Sequence, residues 1–477
     1  MRLIPIYTWN KGIRNFDLRS KRFSKQPWAQ GVILLVCVLL AMLLANLPAT
    51  KHLYHSILHT SFTLHMASPD GSINLFFPRD LTVEKLINDV LMMVFFFTVG
   101  LEIRREVAYG ELSSPRKALL PVIAAFGGVI APALIYTLVN HGTVAASGWG
   151  IPTATDIAFA VCILSVLGDR VPVSLKVFLT ALAIADDLIA ILVVALFYGG
   201  SLNFWLLGVA AAVILLVHLL KQLGEKSLFP YLLLAFIVWV LFYYSGIHAT
   251  MSGVVMAFLI PNKPRYNKSQ FEHKWAKYSR RFEEYASVPS NAFPNGPQRH
   301  CLKKMRSIAK GSMDMTYRLE VALSPWVNFL IMPVFALANA GVEITDVSYF
   351  NVFSYDAALG SASMGIFLGL LLGKPVGITL FSWLAIKLKV GEMPSGASWA
   401  MFFAVACLGG IGFTMSIFVD TLSFGGYDLA TVTHLRDAGK IAVLLGSLCA
   451  GLLGSVLVSL VSKAKGVAGE SVGGHNN

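Results

Sequence analysis

Long apolar segments separated by short polar ones recur along the whole chain of 477 residues. Most of these segments have roughly 17 to 25 residues, the length at which an α-helix crosses a hydrocarbon core of about 30 Å. The pattern therefore predicts an all-α polytopic membrane protein. Its twelve predicted spans cover residues 30–49, 84–103, 118–140, 149–167, 173–198, 203–220, 228–244, 246–261, 318–341, 360–386, 398–420 and 437–461.

The composition agrees with this class and excludes one large soluble domain. Hydrophobic residues make up 56% of the chain and charged residues 13%, whereas a soluble globular protein has about 25% charged residues. No nucleic-acid recognition motif accompanies the net charge of +12, so nucleic acid is not a predicted partner. The five cysteines form no CxxC pair, and neither a zinc site nor a disulfide framework is predicted.

The distribution of basic residues predicts the orientation of the chain, because the cytoplasmic loops of membrane proteins are rich in Lys and Arg. With the N-terminus inside, 32 of the 38 Lys and Arg residues lie on the cytoplasmic side of the predicted spans. Residues 1–29 then form a basic cytoplasmic arm, and residues 463–477 form a cytoplasmic tail. Both termini are therefore predicted to be cytoplasmic.

Two segments between spans are too polar to lie in a membrane. Residues 50–82 are predicted to be an external, periplasmic loop, in which "SPDGS" is a turn signal that favours a short hairpin. Four histidines in this loop are loosely spaced, so solvated side chains are favoured over a metal site: His52, His55, His59 and His65.

The second polar segment is a basic insertion at residues 262–313, between spans 1–8 (30–261) and spans 9–12 (314–462). Its composition favours disorder or an appended cytoplasmic element. The stretch "KWAKYSRRFEEYA" would suit a short amphipathic helix on anionic lipid, but an ordinary solvated loop is the favoured interpretation.

Five ionisable residues lie in the interior of predicted spans, where each costs several kcal/mol and is by default a functional-site candidate. They are Asp89, Asp156, Asp186, Asp187 and Lys374. Asp186 and Asp187 are adjacent in "AIADDLIAI", and neighbouring side chains point about 100° apart around a helix. One carboxylate can therefore face a cavity while the other faces a neighbouring helix. A helix cap is disfavoured because the apolar run continues on both sides.

Two stretches predict interrupted helices. In "IPTATDIAFA", Pro152, Thr155 and Asp156 disfavour a continuous helix, because Thr and Asp side chains compete for backbone hydrogen bonds. In "CLGGIGFTMSIF", three glycines permit either close helix packing or an interruption. Paired discontinuous helices in the two halves of a chain are typical of ion-binding transporters.

Lys374 is a lone cation between apolar stretches. A buried lysine needs a counter-charge or must lose its proton, so a pair with Asp186 is favoured over a side chain that reaches a membrane interface. Carboxylate, hydroxyl and carbonyl oxygens suit a small hard cation such as Na⁺ or Li⁺. A carboxylate in a low-dielectric site can also hold a proton near neutral pH. Competition of a proton and a cation for one carboxylate is sufficient to couple their movements.

Seven motifs together resemble the NhaA-type sodium/proton antiporters. They occur in order between Leu86 and Phe418 and cover most of the membrane region: "LINDVLMMVFFFTVGLEIRREV", "IPTATDIAFA", "RVPVSLKVFLTALAIADDLIAI", "GIHATMSGV", "PVFALANAGV", "LLGKPVGI" and "GGIGFTMSIF". The resemblance implies inverted repeats, made of spans 3–5 and 10–12, in which the discontinuous spans 4 and 11 cross. It also implies a location in the bacterial inner membrane.

The resemblance further implies a role for each polar residue at the centre of the membrane. Asp187 is the primary cation ligand, and Asp186 is its neighbour, which exchanges a proton and pairs with Lys374. Thr155 lies at the crossing of the broken helices, and Asp156 and Lys374 compensate helix-end charges. A cytoplasmic pH-sensing cluster is implied at Glu102, Arg105, Glu106, His248 and Glu320.

The sequence thus predicts an electrogenic, pH-regulated transporter that expels Na⁺ or Li⁺ in exchange for external protons and needs no cofactor. Its predicted partners are these ions and membrane lipid, with a homodimer as an open alternative. A passive cation channel is one competing hypothesis. The other, an intramembrane aspartyl protease, needs two carboxylates aimed at one water and a "GxGD" pattern that is absent here.

Overall fold

The computed structural model describes residues 28–67, 74–225, 227–262, 264–285, 293–344, 350–355, 359–424 and 429–473, which are mostly helical. The α-helices are α1 (Ala29–Asn46), α2 (Pro48–His59), α3 (Val83–Tyr109), α4 (Pro115–Val139), α5 (Ile157–Leu167), α6 (Val173–Phe197), α7 (Phe204–Gln222), α8 (Leu228–Ser245), α9 (Met251–Leu259), α10 (Lys268–Glu284), α11 (Gly296–Ser312), α12 (Met315–Asn339), α13 (Ala362–Lys387), α14 (Trp399–Leu408), α15 (Phe413–Leu422) and α16 (Leu429–Gly473). Two strands, β1 (Ser61–Ala67) and β2 (Asn74–Thr82), form an antiparallel hairpin.

Nine helices in the described part of the chain are long and apolar enough to cross a membrane, or eleven if each of two bent helix pairs counts as one span. The prediction of a polytopic helical membrane protein is therefore confirmed. The predicted span 246–261 contains only α9, whose nine residues make a helix about 14 Å long. Gly246 ends α8 in a left-handed conformation, with φ of 87°, and residues 246–250 are not helical. A twelfth membrane crossing stays a prediction.

The larger of two compact units is formed by the described residues of the ranges 1–92, 106–200 and 328–477. Helix α6 lies in the interior of this unit. In the most apolar stretch of α6, 72% of the residues are buried, against 50% or less in the corresponding stretch of each of the other long helices. A helix that is apolar nearly all round is expected in such a buried position. The two adjacent aspartates therefore lie on the most enclosed of these helices.

Helices α4 and α13 of the larger unit approach each other closely at two glycines. A Cβ atom added to Gly127 would lie 2.3 Å from the carbonyl oxygen of Gly377, and one added to Gly377 would lie 2.1 Å from the carbonyl oxygen of Gly127. Only glycine permits this backbone contact, which is typical of packed membrane helices. The contact fixes α13, and with it Lys374, against α4.

The smaller unit is formed by the described residues of the ranges 93–105 and 201–327. Its core is formed by apolar side chains of α7, α8 and α9, together with residues of α3 and α12 that belong to this unit. The buried members are Phe97, Leu101, Ala210, Val217, Tyr231, Val238, Phe242, Met256, Ala257, Ile260, Met315 and Leu319.

The basic insertion is largely helical, so its interpretation as a solvated loop is wrong for the described residues. Helices α10 and α11 have 17 residues each and pack against each other. Each begins with a capping box, formed by Asn267 with Gln270 and by Asn295 with Gln298. These boxes satisfy backbone N–H groups at both helix starts, a local signal that outweighs the polar composition.

The predicted external loop begins with a helix, α2, instead of irregular chain. Pro48 occupies its first turn, a position that proline favours because no backbone hydrogen bond is lost there. The predicted hairpin follows as β1 and β2, although its "SPDGS" turn lies outside the described residues, as does most of the N-terminal arm. The described residues contain no group of three His, Cys, Asp or Glu that could hold a metal ion.

Candidate functional site

Two helices of the larger unit are broken, and the breaks contact each other. A 3₁₀ segment at Val144–Thr153 precedes α5 with a bend of 42°, and α14 precedes α15 with a bend of 50°. The backbone N–H of Asp156 donates to the carbonyl oxygen of Ile411 at 2.6 Å, and Thr155 Oγ1 lies 3.0 Å from the carbonyl oxygen of Gly409. Unpaired backbone groups of one break are thus satisfied by the other.

The first break arises where Asp156 caps α5. Its backbone is extended, and its Oδ1 accepts a hydrogen bond from the N–H of Phe159 at 3.3 Å. An aspartate in this role begins a helix instead of continuing one. Pro152, four residues earlier, has no backbone N–H to donate. The sequence-based prediction of an interruption here is therefore confirmed.

The second break lies in the glycine-rich stretch, which forms both a close helix contact and an interruption. A Cβ atom on Gly410 would lie 2.4 Å from the carbonyl oxygen of Leu370, so the backbones are in contact. Residues 409–412 are not helical. Ser447 Oγ accepts hydrogen bonds from the N–H groups of Gly412 at 3.2 Å and Phe413 at 3.1 Å. A side chain from α16 therefore caps the start of α15.

Asp156 serves the N-terminal ends of both broken helices. Besides capping α5, its Oδ2 accepts hydrogen bonds from the N–H of Thr414 at 3.1 Å and from the Thr414 hydroxyl. Asp156 is 2% exposed and Thr414 is 1% exposed. The partial positive charge at helix N-termini stabilises an anion, and hydrogen bonds to a carboxylate are strong. One carboxylate is thus placed where two such ends meet.

A prediction about Thr414 follows from this contact. Thr414→Val keeps the shape of the side chain and removes the hydroxyl bond to Asp156, so we expect the free energy of unfolding to fall by about 1.5–3 kcal/mol. Thermal melting in detergent measures the change. Thr421→Val is the matched control on the same helix, because the hydroxyl of Thr421 donates to the backbone carbonyl of Phe418 and to no carboxylate among the described residues. Equal stability of the Thr414→Val variant and the wild type would contradict the assigned contact.

Lys374, Asp186 and Thr155 form a buried polar cluster beside the two breaks. Lys374 Nζ lies 2.5 Å from Asp186 Oδ2 and also donates to the Thr155 hydroxyl. Thr155 Oγ1 in turn lies 2.5 Å from Asp186 Oδ2. The Thr155 hydroxyl has one hydrogen, so it donates either to this carboxylate or to the carbonyl of Gly409. The predicted contact between Lys374 and Asp186 is present.

A local irregularity places Lys374 in this cluster. Residues Gly369–Gly373 form a π-helical turn within α13, directly before Lys374. Pro375 follows, and a proline inside a helix removes one backbone hydrogen bond and clashes with the carbonyl four residues earlier. The wider turn relieves that clash, and such π-turns are frequent at functional sites. Lys374 is 0% exposed.

Asp187 is buried beside this cluster, at 2% exposure. Its charge acts on Lys374, although the direct hydrogen bond of the lysine goes to Asp186. The Oδ1 atom of Asp186 has no hydrogen-bond partner among the described residues. The cluster therefore presents carboxylate, hydroxyl and carbonyl oxygens, the ligand set that hard cations prefer.

Three residues of the implied pH-sensing cluster, Glu102, Arg105 and Glu320, are in contact. Arg105 Nη1 donates to Glu320 Oε1, and Arg105 Nη2 lies 3.9 Å from Glu102 Oε1. The Glu320 side chain is only 8% exposed. Glu106 also accepts a hydrogen bond from the backbone N–H of Glu111 at 3.1 Å, and His248 Nδ1 lies 3.4 Å from Thr250 Oγ1.

Several polar residues of the site carried no clear signal in the sequence. Thr414 and Ser447 are hydroxyls in apolar helices, where such residues usually bond to their own backbone. Asp89, which the sequence predicts to be an interior charge, lies in a π-turn of α3 and is partly exposed. Its neighbour Asn88 exchanges side-chain hydrogen bonds with Asn339, at 3.0 and 2.8 Å.

Comparison with known proteins identifies relatives over nearly the whole chain. Residues 21–458 match the family model described as Na+/H+ antiporter 1. The proteins named Na(+)/H(+) antiporter NhaA from Acidithiobacillus ferrooxidans and Helicobacter pylori strain P12 are 41% and 42% identical, over 94% of this chain and 98% and 96% of their own lengths. That of Oleidesulfovibrio alaskensis is 40% identical over 93% of this chain and 94% of its own length.

Proposed function

Because the chain belongs to the Na+/H+ antiporter 1 family, we propose that it exchanges cytoplasmic Na⁺ or Li⁺ for external protons at the buried carboxylates of α6. The observation that supports this most directly is the enclosed set of oxygen atoms around Asp186, beside the two helix breaks. A proton and a cation compete for such a carboxylate, because the cation needs the ionised form. A site that opens to one side at a time converts this competition into exchange.

In this proposal the two aspartates have different tasks. Asp187 is the primary cation ligand, and Asp186 pairs with Lys374. Asp186 accepts a proton when its bond to Lys374 is released, and Thr155 adds a hydroxyl ligand. Asp156 balances the positive ends of the broken helices, and Lys374 balances the carbonyl ends.

We place this site in a fold with inverted repeats, spans 3–5 and 10–12, in which the broken spans 4 and 11 cross. Both termini would be cytoplasmic, and the protein would lie in the inner membrane of a bacterium. The contact between residues 154–156 and 409–412 supports the crossing. Reporter fusions at both termini test the orientation. If a fused reporter that works only outside the cytoplasm were active at either terminus, the proposed orientation would be contradicted.

Transport in everted membrane vesicles tests the function. A proton gradient is established, and its collapse is followed with a pH-sensitive dye after addition of Na⁺, Li⁺ or K⁺. We expect Na⁺ and Li⁺ to dissipate the gradient. Uptake of labelled Na⁺ without proton movement would instead support a passive cation channel and contradict exchange.

We further propose that exchange is electrogenic, because two titrating aspartates permit more than one proton per Na⁺. The membrane potential then assists export, at about 2.3 kcal/mol per charge for each 100 mV. The reversal potential of purified protein in liposomes measures the ratio of protons to Na⁺. A reversal set by the two ion gradients alone, at one proton per Na⁺, would contradict an electrogenic cycle.

The proposed pH sensor comprises Glu102, Arg105, Glu106, His248 and Glu320. Glu320→Gln copies the protonated carboxyl and removes the partner of Arg105. We therefore expect the variant to keep the low exchange rate of acidic conditions when the pH is raised. An interaction of about 1.4 kcal/mol moves such a profile by about one pH unit.

Vesicle exchange at stepped pH measures this profile. Glu392→Gln is the control, because Glu392 is exposed in the segment between α13 and α14 and is not a member of the proposed sensor. A wild-type pH profile in the Glu320→Gln variant would contradict the proposed sensor.

A further inference from the structure

Asp420, on the last turn of α15, is a buried carboxylate outside the central cluster. It is 0% exposed, and neither Oδ1 nor Oδ2 has a hydrogen-bond partner among the described residues. Burial of an ionised carboxylate without hydrogen bonds is costly. The presence of a carboxylate at this position is therefore not explained by a contribution to the stability of the fold.

The carboxylate of Asp420 packs directly on the backbone of α16. A Cβ atom added to Gly439 would lie 2.3 Å from Asp420 Oδ1, so any larger residue at position 439 would displace the carboxylate. The glycine leaves a space that the carboxylate oxygen fills. The position of Asp420 is therefore specified by both helices.

Charged and titratable groups face Asp420 from three elements. Three of these groups are on helix α16: Lys440, Arg436 and Asp437. The other two are Tyr136, on α4, and Tyr198, which directly follows α6. Both tyrosine hydroxyls are engaged elsewhere, with the carbonyls of Ala145 at 2.8 Å and Ser147 at 3.0 Å. Arg436 Nη2 donates to the carbonyl of Ser423 at 3.3 Å. The two basic residues thus balance the charge of Asp420 without fixing its oxygens.

A second buried hydroxyl lies between Asp420 and the broken helices. Ser416 is one turn earlier on the same face of α15, and its Oγ has no hydrogen-bond partner among the described residues. A Cβ atom on Gly412 would meet Ser416 Oγ at 2.2 Å and the carbonyl oxygen of Ala154 at 3.0 Å. Ser416 therefore points at the break that contains Thr155. Oxygen atoms of Asp420, Ser416 and the break therefore follow one another along α15.

We propose that Asp420 relays protons between the external side and the central carboxylates. An external proton binds a carboxylate oxygen of Asp420, and Asp420 then donates this proton to the Ser416 hydroxyl. The hydroxyl passes its own proton toward Asp187 in the same step, since a serine hydroxyl can both accept and donate. Asp420 is then ionised again and ready for the next proton. No hydrogen bond to the carboxylate has to break in this cycle. The proposal rests on the exchange function and orientation proposed above, which place the end of α15 outside.

The occupant of this position is a proton and not Na⁺. A hard cation takes about six oxygen ligands, whereas a proton needs one, and Arg436 and Lys440 repel a second cation. Asp420 carries no clear signal in the sequence, because it is the last residue of the predicted span 398–420, where a charge costs little.

The test is Na⁺ efflux from proteoliposomes that contain Asp420→Asn, measured against external pH at fixed internal pH. We expect the rate to fall about 10²-fold at alkaline external pH, the lower range for a positioned proton-transfer group, and to recover partly at acidic external pH. The dependence on internal Na⁺ should be unchanged. Asp420→Glu, which can still bind a proton, should restore most of the rate.

Two controls separate this relay from other roles. Asp169→Asn neutralises an exposed aspartate in the short 3₁₀ turn after α5, away from the groups that face Asp420, and should keep the wild-type profile. Asp187→Asn should be inactive at every external pH, so failure of the central site is distinguishable from failure of the relay. A wild-type profile in Asp420→Asn, or an equal loss at all external pH values, would contradict the relay.

Labelling of the wild-type protein keeps the proposal testable if Asp420→Asn does not fold. A membrane-permeant carbodiimide adds to protonated carboxyl groups in apolar surroundings, and mass spectrometry of the peptide that contains Asp420 detects the adduct. We expect labelling of Asp420 that decreases as external pH rises. Absence of the adduct at acidic external pH would show a permanently ionised counter-ion and overturn the proposal.

Discussion

Asp187→Asn is expected to abolish Na⁺-coupled proton movement while the protein stays folded and inserted. Asparagine has nearly the same shape, but it carries no negative charge for a cation and binds no exchangeable proton. If the substitution raises the activation free energy of exchange by about 2.7 kcal/mol or more, the rate falls by a factor of at least about 100. Dye-based measurement of gradient collapse in everted vesicles, with the amount of inserted protein determined in parallel, gives the rate.

The matched control is Asp169→Asn, which neutralises an exposed aspartate in the short 3₁₀ turn after α5. That variant should exchange at the wild-type rate. If Asp187→Asn retained more than a small fraction of the exchange rate, Asp187 could not be the cation ligand, and the site would have to lie elsewhere in the chain.

Lys374→Ala is expected to destabilise the protein strongly. The substitution leaves Asp186 buried and without its partner, and loss of one member of a buried ion pair costs about 3–5 kcal/mol. Thermal melting of the purified protein in detergent should therefore show a clear decrease in melting temperature. Lys387→Ala, near the end of the same helix, is the control, because Lys387 is exposed and lies over the ring of Trp383.

A second substitution tests the physical reason for this loss. The double variant Lys374→Ala with Asp186→Asn removes the orphan charge, so it should be more stable than Lys374→Ala alone. Equal stability of the wild type and Lys374→Ala would show that the buried pair contributes nothing. Equal stability of the single and double variants would show that the loss has another origin, such as an unfilled cavity.

The long helices could be predicted from the sequence because their length and apolarity are local properties. Nine of the predicted spans correspond to long helices of the described chain, and two more to bent pairs. The segment 246–261 differs because its first five residues, 246–250, begin with a left-handed glycine and are not helical. Its helix is therefore short, and apolarity alone does not reveal this. The insertion 262–313 differs because its capping boxes stabilise helices in spite of a polar composition.

The central aspartates and Lys374 could be predicted for a different reason. A charge in the interior of an apolar span is costly in any tertiary context, so it is conspicuous before the fold is known. The hydroxyls of Thr414 and Ser447 carry no such signal, because they become ligands of a carboxylate and of helix N–H groups only when distant helices meet. Their tasks depend on contacts that residue type and spacing do not encode.

The proposed mechanism depends on one carboxylate site that holds either Na⁺ or a proton. The most direct test adds Na⁺ to purified wild-type protein in weakly buffered detergent solution and follows both bound Na⁺ and released protons. We expect protons to be released as Na⁺ binds and no release from Asp187→Asn. Binding of Na⁺ by the wild type without release of protons would contradict the competition from which exchange is derived.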